Sequence, residues 1–135
     1  VDDGYKGLLV VRSELKSMCS HHHQPVSGVA YIGIIAADNL IGLSKYTRIA
    51  QWCARRGTLQ EELNNVIARE IMAATGSENV GVYIQATHGC CENRGIGAHS
   101  SLTQTTVLEG AFKDDAGTKQ EFFDNIKLQQ QFAPR

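Results

Sequence analysis

Apolar residues alternate with small or polar ones along several stretches of the chain, a pattern typical of β-strands that bury one face. The clearest stretch is 80–91, and one face of that strand would carry Val80, Val82, Ile84, Ala86, His88 and Cys90. Residues 7–18 and 28–36 are also predicted as strands because both are rich in aliphatic residues. The Thr-rich segment 100–112 is predicted to be the last strand.

Two neighbouring segments instead repeat their apolar residues at helical spacing. Residues 43–56 form the first predicted helix, and the second opens at Thr58-Leu59-Gln60-Glu61, which has the S/T-x-x-E form of a capping box. Glu61 could therefore simply bind the backbone N–H of the capping threonine. Gly76 fits the C-terminal cap of the second helix, and a short last helix is predicted around Phe122. This order of elements predicts an α+β domain, with a helix pair on one face of an antiparallel sheet.

Composition narrows the classes of protein to which the chain can belong. Its 135 residues are 42% hydrophobic and 20% charged, which suits one domain with its own core, taken as residues 1–135. The thirteen Lys and Arg nearly balance the fourteen Asp and Glu, so general nucleic-acid binding is not expected. No apolar run has membrane-spanning length and nothing resembles a signal peptide, so no membrane association is expected. The four cysteines are expected to be reduced thiols in the cytoplasm, free to bind metal.

A cysteine and three consecutive histidines follow the first predicted strand, in the stretch SMCSHHHQP. Cys19 and His22 could bind one metal ion if the chain turns sharply there, and Pro25 and Gly28 are expected to favour such a turn. A cysteine with a histidine suits zinc. The alternative is an inert, buried Cys19, and His23 falls outside the pair in either case.

A third metal ligand would have to come from a distant part of the chain. Cys90 is the best candidate, because it shares a predicted strand face with His88 near the end of that strand. Three protein ligands leave the fourth position of a tetrahedral zinc ion open, which is the arrangement of catalytic rather than structural zinc. Cys91 would lie on the opposite face and is not expected to bind the metal.

Positive charges cluster at the start of the first predicted helix. Lys45 and Arg48 follow Gly42, and a helix N-terminus that carries two cations suits a polyphosphate. Arg94, in a Gly-containing loop after the third predicted strand, could add another positive charge. The alternative is an ordinary solvated basic face with a surface arginine elsewhere.

Four blocks of the sequence, in order, resemble motifs of the GTP cyclohydrolase I family. Residues 19–22 (CSHH) correspond to its C-E-H-H, and residues 42–48 (GLSKYTR) to its G-L-S-K-x-x-R. Gln60-Glu61 matches the start of its Q-E-R, and residues 86–95 (ATHGCCENRG) match its A-T-H-x-C-x-x-x-R-G. The resemblance covers residues 10–127, nearly the whole chain.

The resemblance implies a role for each matched residue. The zinc ligands would be Cys19, His22 and Cys90. The catalytic residues would be His88, His21 and Ser44. The guanine edge of GTP would be recognised by Glu61 and Gln60. The triphosphate end would be bound by Lys45, Arg48, Arg94 and Ser44, with Leu43 in the same binding segment.

The implied reaction is hydrolytic opening and rearrangement of GTP to 7,8-dihydroneopterin triphosphate and formate, the first step of pterin, folate or deazaguanine synthesis. A zinc-activated water would attack C8 of the purine, and His88 would protonate the ring nitrogen as general acid. His21 and Ser44 would assist the opening and rearrangement of the ribose. The family has the T-fold and assembles into a toroidal homodecamer with sites at subunit interfaces, so the resemblance implies the same here.

Departures from the family pattern leave two other interpretations open. Ser20 replaces the family's Glu beside the metal ligands, and Glu62 replaces the Arg of Q-E-R. The family's N-terminal helical region is largely absent, and because the chain starts at Val1 further residues are expected upstream. The protein could be a T-fold module that binds a purine nucleotide without turnover. It could also be a T-fold nitrile reductase of the queuosine pathway, although the Cys/His/Cys zinc pattern argues against that.

Overall fold

The computed structural model describes residues 7–19, 24–35, 41–55, 60–88 and 101–132. Side chains are described in these ranges except at positions 17–19, 24–26, 60, 61, 87, 88, 101 and 102. The strands are β1 (Leu8–Cys19), β2 (Gln24–Ile35), β3 (Val80–His88) and β4 (Ser101–Glu109). The helices are α1 (Leu43–Arg55), α2 (Gln60–Thr75), α3 (Ala111–Asp114) and α4 (Ala116–Phe132). No helix in the described part of the chain is long and apolar enough to cross a membrane.

The four strands form one antiparallel sheet in the order β1-β2-β3-β4. The central pair, β2 and β3, is separated in the chain by α1 and α2, and these two helices pack together on one face of the sheet. The α+β architecture predicted from the order of elements is therefore confirmed.

Successive side chains of β3 point to opposite faces of the sheet. Val80, Val82, Ile84 and Ala86 are buried against the helix pair, as the sequence pattern predicts. Tyr83, between them in sequence, packs on the opposite face. The helix pair contributes Tyr46, Ala50, Cys53, Leu63, Ile67 and Ile71 to the same core. Because each large aliphatic side chain buried this way contributes about 1.5–3 kcal/mol, this core fixes both helices on the sheet.

The ends of the helix pair largely follow the prediction. α1 runs over Leu43–Arg55, and residue 56, the last of the predicted helix, lies outside the described part of the chain. Gly76, directly after α2, has a φ of 76°, and its N–H donates to the carbonyl of Met72 at 2.8 Å, which confirms it as the C-terminal cap. Thr58 lies outside the described residues, so the capping box at the start of α2 stays a prediction.

A second, smaller hydrophobic layer lies on the opposite face of the sheet, beneath α3 and α4. Phe112 and Phe122 are fully buried there, with ring centroids 5.3 Å apart in an edge-to-face arrangement. The prediction of a short last helix is wrong, because α4 is 17 residues long and covers this face. The predicted end of the last strand is also wrong. β4 stops at Glu109, where Gly110 turns the chain with a φ of 65° and leads Phe112 into α3.

Pro25 and Gly28 both lie within β2, so the strand predicted from Gly28 begins four residues earlier, at Gln24, and Pro25 is not in the turn itself. β1 stays paired with β2 up to its last residue, Cys19, so both positions are opposite β1. Among the described residues, β3 pairs with β2 from Val26 onward. Residues 20–23, between the two strands, are outside the described part of the chain.

Gly28 is a position where β2 and β3 approach too closely for a side chain. A Cβ there would lie 2.7 Å from the carbonyl oxygen of Gln85 and 3.1 Å from the Cα of Ala86. Because both contacts are backbone atoms, the Gly28→Ala variant should lose about 1–3 kcal/mol of unfolding free energy, as over-packed positions do. Urea unfolding measures this loss.

The matched control is Gly117→Ala, at an exposed position of α4 where the nearest atom to a new Cβ is 3.4 Å away. This variant should be neutral or slightly more stable, since alanine favours a helix over glycine. An equal loss in the two variants would contradict the close approach of β2 and β3.

Candidate functional site

The sheet brings together two positions of the predicted site that are far apart in the chain. Cys19 is the last residue of β1 and His88 the last residue of β3, and both strands border β2. Their partners on β2, Gln24 and Val26, are two residues apart. The two backbones therefore leave the same end of the sheet, on either side of β2, two strand spacings of about 4.8 Å apart.

The other residues of the predicted metal and catalytic set follow these two strand ends in the chain. Outside the described residues lie His21, His22, Cys90 and Arg94. The side chains of Cys19 and His88 are outside them as well. Within the described part, no group of three or more His, Cys, Asp or Glu side chains is placed to hold a metal. The ligand set thus stays a prediction, and its chemistry of two thiolates and an imidazole suits zinc with an open position.

The predicted anion-binding residues Ser44, Lys45 and Arg48 are exposed in the first two turns of α1. The first turn carries no acidic residue, so the helix dipole and the two cations all attract an anion. Leu43, which begins the helix, is 62% exposed. The Lys45 N–H donates to the carbonyl of Gly42 at 2.9 Å and closes this turn. The start of α1 is therefore open to solvent and favourable for an anion.

A surface groove of about 610 Å³ runs along α1 and contains both cations. Lys45 and Arg48 line it with Trp52 and Arg55 of the same helix and Glu70 of α2. The four α1 positions recur at helical spacing, so they form one stripe along the helix. Trp52 and Arg55 are not among the site residues predicted from the sequence, although the same helical spacing continued beyond Arg48 leads to both.

Tyr46 separates these cations in sequence but belongs to the core. It is fully buried, and burial raises the pKa of its phenol. The phenol therefore stays neutral at physiological pH. No phenolate forms there to cancel the positive charge of Lys45 and Arg48.

α1 contacts β1 far from the strand end that carries Cys19. The hydroxyl oxygens of Thr47 and Ser13 are 2.9 Å apart, and the side-chain amide of Gln51 donates to the carbonyl of Glu14 at 3.2 Å. Ser13 precedes Cys19 by six residues, which is about 20 Å of extended strand. Within one chain, the cationic turns of α1 and the ends of β1 and β3 are therefore separate. Among the described residues, the start of α1 is not brought together with the strand ends at Cys19 and His88.

The predicted guanine-binding residues Gln60 and Glu61 are the first two residues of α2. Their side chains are outside the described part, so the choice between capping the helix and binding a base stays open. One turn later lies Asn64, which was not predicted from the sequence and is fully buried and hydrogen-bonded to two strands. The available signal was an amide between the apolar positions Leu63 and Ile67.

Comparison with known proteins places the chain among relatives of one kind. The GTP cyclohydrolase I family model matches residues 1–127. The chain is 41% identical over 134 residues to GTP cyclohydrolase 1 of Flavobacterium johnsoniae, with 97% of this chain and 60% of the relative covered. It is 40% identical over 120 residues to GTP cyclohydrolase 1 of Pseudoalteromonas translucida, with 89% of this chain and 65% of the relative covered. The chain thus spans between 60% and 65% of the length of these two relatives.

A solved structure is similar at the level of the fold. It is the crystal structure of the archaeosine synthase QueF-Like in the apo form, with a TM-score of 0.64 at 15% identity, covering 79% of this chain and 97% of that one. At this identity the likeness shows the fold alone, and it confirms the T-fold predicted from the sequence motifs. All four motif blocks lie inside the range that the family model matches. The chain belongs to the GTP cyclohydrolase I family.

Proposed function

We propose that the protein converts GTP to 7,8-dihydroneopterin triphosphate and formate with the help of a zinc ion, as the first step of pterin, folate or deazaguanine synthesis in the cytoplasm. The observation that carries the proposal is the family match over residues 1–127, because that range contains every residue of the proposed site. The register of the sheet supports it, since the backbones of Cys19 and His88 leave the sheet at one end.

The metal would be held by Cys19, His22 and Cys90. When bound there, zinc supplies a polarised water whose pKa is lowered towards neutrality. His88 would hold the proton that the purine ring nitrogen needs as its bond to C8 breaks, a task suited to imidazole because it titrates near neutral pH. His21 and Ser44 would move protons during rearrangement of the ribose.

Binding of GTP would use the two helix starts. Lys45 and Arg48, exposed at the start of α1, and Arg94 would bind the triphosphate. Glu61 with Gln60, at the start of α2, would bind the guanine edge, whose two N–H groups match the oxygens of one carboxylate. The two ends of the nucleotide would then be bound by residues from different parts of the chain.

The complete site would be shared between copies of the chain, in a toroidal homodecamer. Support comes from the separation of about 20 Å of strand between the contact of α1 with Ser13 and the strand end at Cys19. In a closed ring of identical subunits, one copy can present the start of α1 to the strand ends of the next. In the part of the chain that the structure describes, β1 and β4 are the edges of the sheet, and copies could pair through them.

Mixed oligomers of two inactive variants test the shared site. Lys45→Ala removes a cation of α1 and Cys90→Ala removes a metal ligand, so each variant alone should be nearly inactive. In an equal mixture with exchanged subunits, about one quarter of the sites should pair two intact halves, and activity should recover to that extent. Formate release measures the recovery.

The control is the double variant Lys45→Ala/Cys90→Ala, mixed with either single variant. These mixtures should recover nothing, because no interface in them pairs two intact halves. Mixed oligomers of the two single variants that are verified by mass but stay inactive would contradict a shared site.

The activity itself is tested by incubating the zinc-loaded protein with GTP and measuring formate, together with a fluorescent pterin after oxidation. Both products should form. Tight GTP binding without either product would instead support the non-catalytic module that Ser20 and Glu62 leave open. Because the likeness to the QueF-Like protein shows the fold alone, it gives no support to nitrile reduction.

A further inference from the structure

A buried polar bridge joins α2 to both β3 and β4. The side-chain amide of Asn64 is fully buried and donates to the carbonyl of Val82 at 3.1 Å and to the carbonyl of Thr105 at 3.2 Å. The hydroxyl of Thr105 donates back to Oδ1 of Asn64 at 2.6 Å. Both hydrogens and the oxygen of the amide therefore have partners.

Stability alone does not require an amide at this position. Asn64 lies in the apolar core beside Leu63 and Ile67, where an aliphatic side chain of similar size would avoid the cost of burying polar atoms. Apolar contact is non-directional, so by itself it fixes neither the rotation nor the sliding of a helix on a sheet. Hydrogen bonds to two neighbouring strands fix both, because they require defined distances and angles.

We propose that Asn64 and Thr105 are positioning residues, which set the place of the first turn of α2 and thereby the selectivity of the protein for guanine. The inference rests on the proposed function, in which Glu61 of that turn binds the guanine edge. Glu61 precedes Asn64 by three residues, about 4.5 Å along the helix axis. A helix that is free to slide or rotate at Asn64 therefore carries the base-binding turn with it.

The Thr105→Val variant removes the hydroxyl donor and keeps the shape of the side chain. The measured quantity is the Ki of inosine triphosphate, which lacks the 2-amino group of guanine, divided by the KM of GTP. We expect this ratio to fall about three- to tenfold, the size of one lost hydrogen bond. A merely structural role would reduce the amount of folded enzyme without changing the ratio, so an unchanged ratio in Thr105→Val overturns the proposal.

Two further variants keep the test specific. Thr106→Val makes the same change at the next residue of β4, which is exposed, and should keep the wild-type ratio. Thr105→Ser retains the hydroxyl and should keep the ratio as well. A fall of equal size in Thr106→Val or Thr105→Ser would overturn the assignment to the Asn64 bridge.

A second measurement is independent of catalysis. Amide hydrogen exchange at residues 64–66, whose N–H groups bond back to the first turn of α2, should be faster in Thr105→Val than in Thr106→Val, while exchange at 71–75, in the last turn of α2, stays the same. Equal exchange at 64–66 in the two variants overturns the positioning role, even in a protein that converts GTP. Absence of GTP conversion in the wild type would overturn the proposed function instead, and the exchange result would still decide whether the bridge positions the helix.

Discussion

Replacing His88 with alanine should lower the rate of GTP conversion by about 10²- to 10⁴-fold, the contribution of a well-placed general acid. The backbone of His88 is paired with Val26 of β2 on one side and with Ser101 of β4 on the other. A proton donor needs such support, because small errors in its position reduce the rate sharply. Formate release at saturating GTP measures the change as kcat.

Two comparisons separate the loss of a proton donor from the loss of metal or fold. His88→Ala should keep its zinc content and its unfolding midpoint, because His88 is not among the proposed ligands. His23→Ala should keep the wild-type rate, since no role is proposed for His23. Loss of zinc from His88→Ala would identify His88 as a zinc ligand. A wild-type rate in that variant would exclude His88 as the general acid.

The parts of the fold that the sequence predicts well are those in which one face of an element is apolar. Val80, Val82, Ile84 and Ala86 alternate with small or polar residues, so both the strand and its buried face follow from the pattern alone. Gly76 has a local physical reason too, because its positive φ suits glycine at the end of a helix. These features depend on residues that are neighbours in the chain.

The errors lie where contacts between distant residues decide the structure. Pro25 has the composition of a turn, yet it lies in β2. Gly28, the predicted start of that strand, is required there by the approach of Gln85 on β3, which no local pattern shows. The length of α4 is equally hidden from local patterns. Only two of its side chains, Phe122 and Ile126, are buried, so its apolar signal is short although the helix is long.

The candidate site shows the same division. The motifs predict which residues belong to the site. The register of the sheet explains how the backbones of Cys19 and His88 come to lie at the same end of the sheet. No pattern in the sequence predicts that Lys45, on α1, is kept away from that end within one chain. That separation depends on where α1 contacts β1, through Thr47 and Ser13. A site shared between subunits cannot be read from the spacing of residues in one chain.

Replacing Glu61 with glutamine should lower kcat/KM for GTP by about 10²- to 10⁴-fold, while the stability of the protein stays unchanged. Glutamine serves as well as glutamate at the third position of a capping box, so a residue that only caps α2 tolerates the change. A residue that accepts two N–H groups of guanine does not. Glutamine has one acceptor and an opposing NH₂ group, and each hydrogen bond to a charged partner is worth about 1.5–3 kcal/mol. Initial rates at low GTP give kcat/KM directly.

The neighbouring Glu62 provides the matched control for the Glu61 substitution. Glu62 is exposed on α2, so Glu62→Gln removes the same charge one residue away and should change neither rate nor stability. Wild-type kcat/KM in Glu61→Gln would assign Glu61 to the helix cap and leave guanine to another residue. An equal loss in both variants would point to the net charge at the start of α2 rather than to recognition of the base. If kcat/KM falls only in Glu61→Gln and the unfolding midpoints are unchanged, the carboxylate of Glu61 binds guanine.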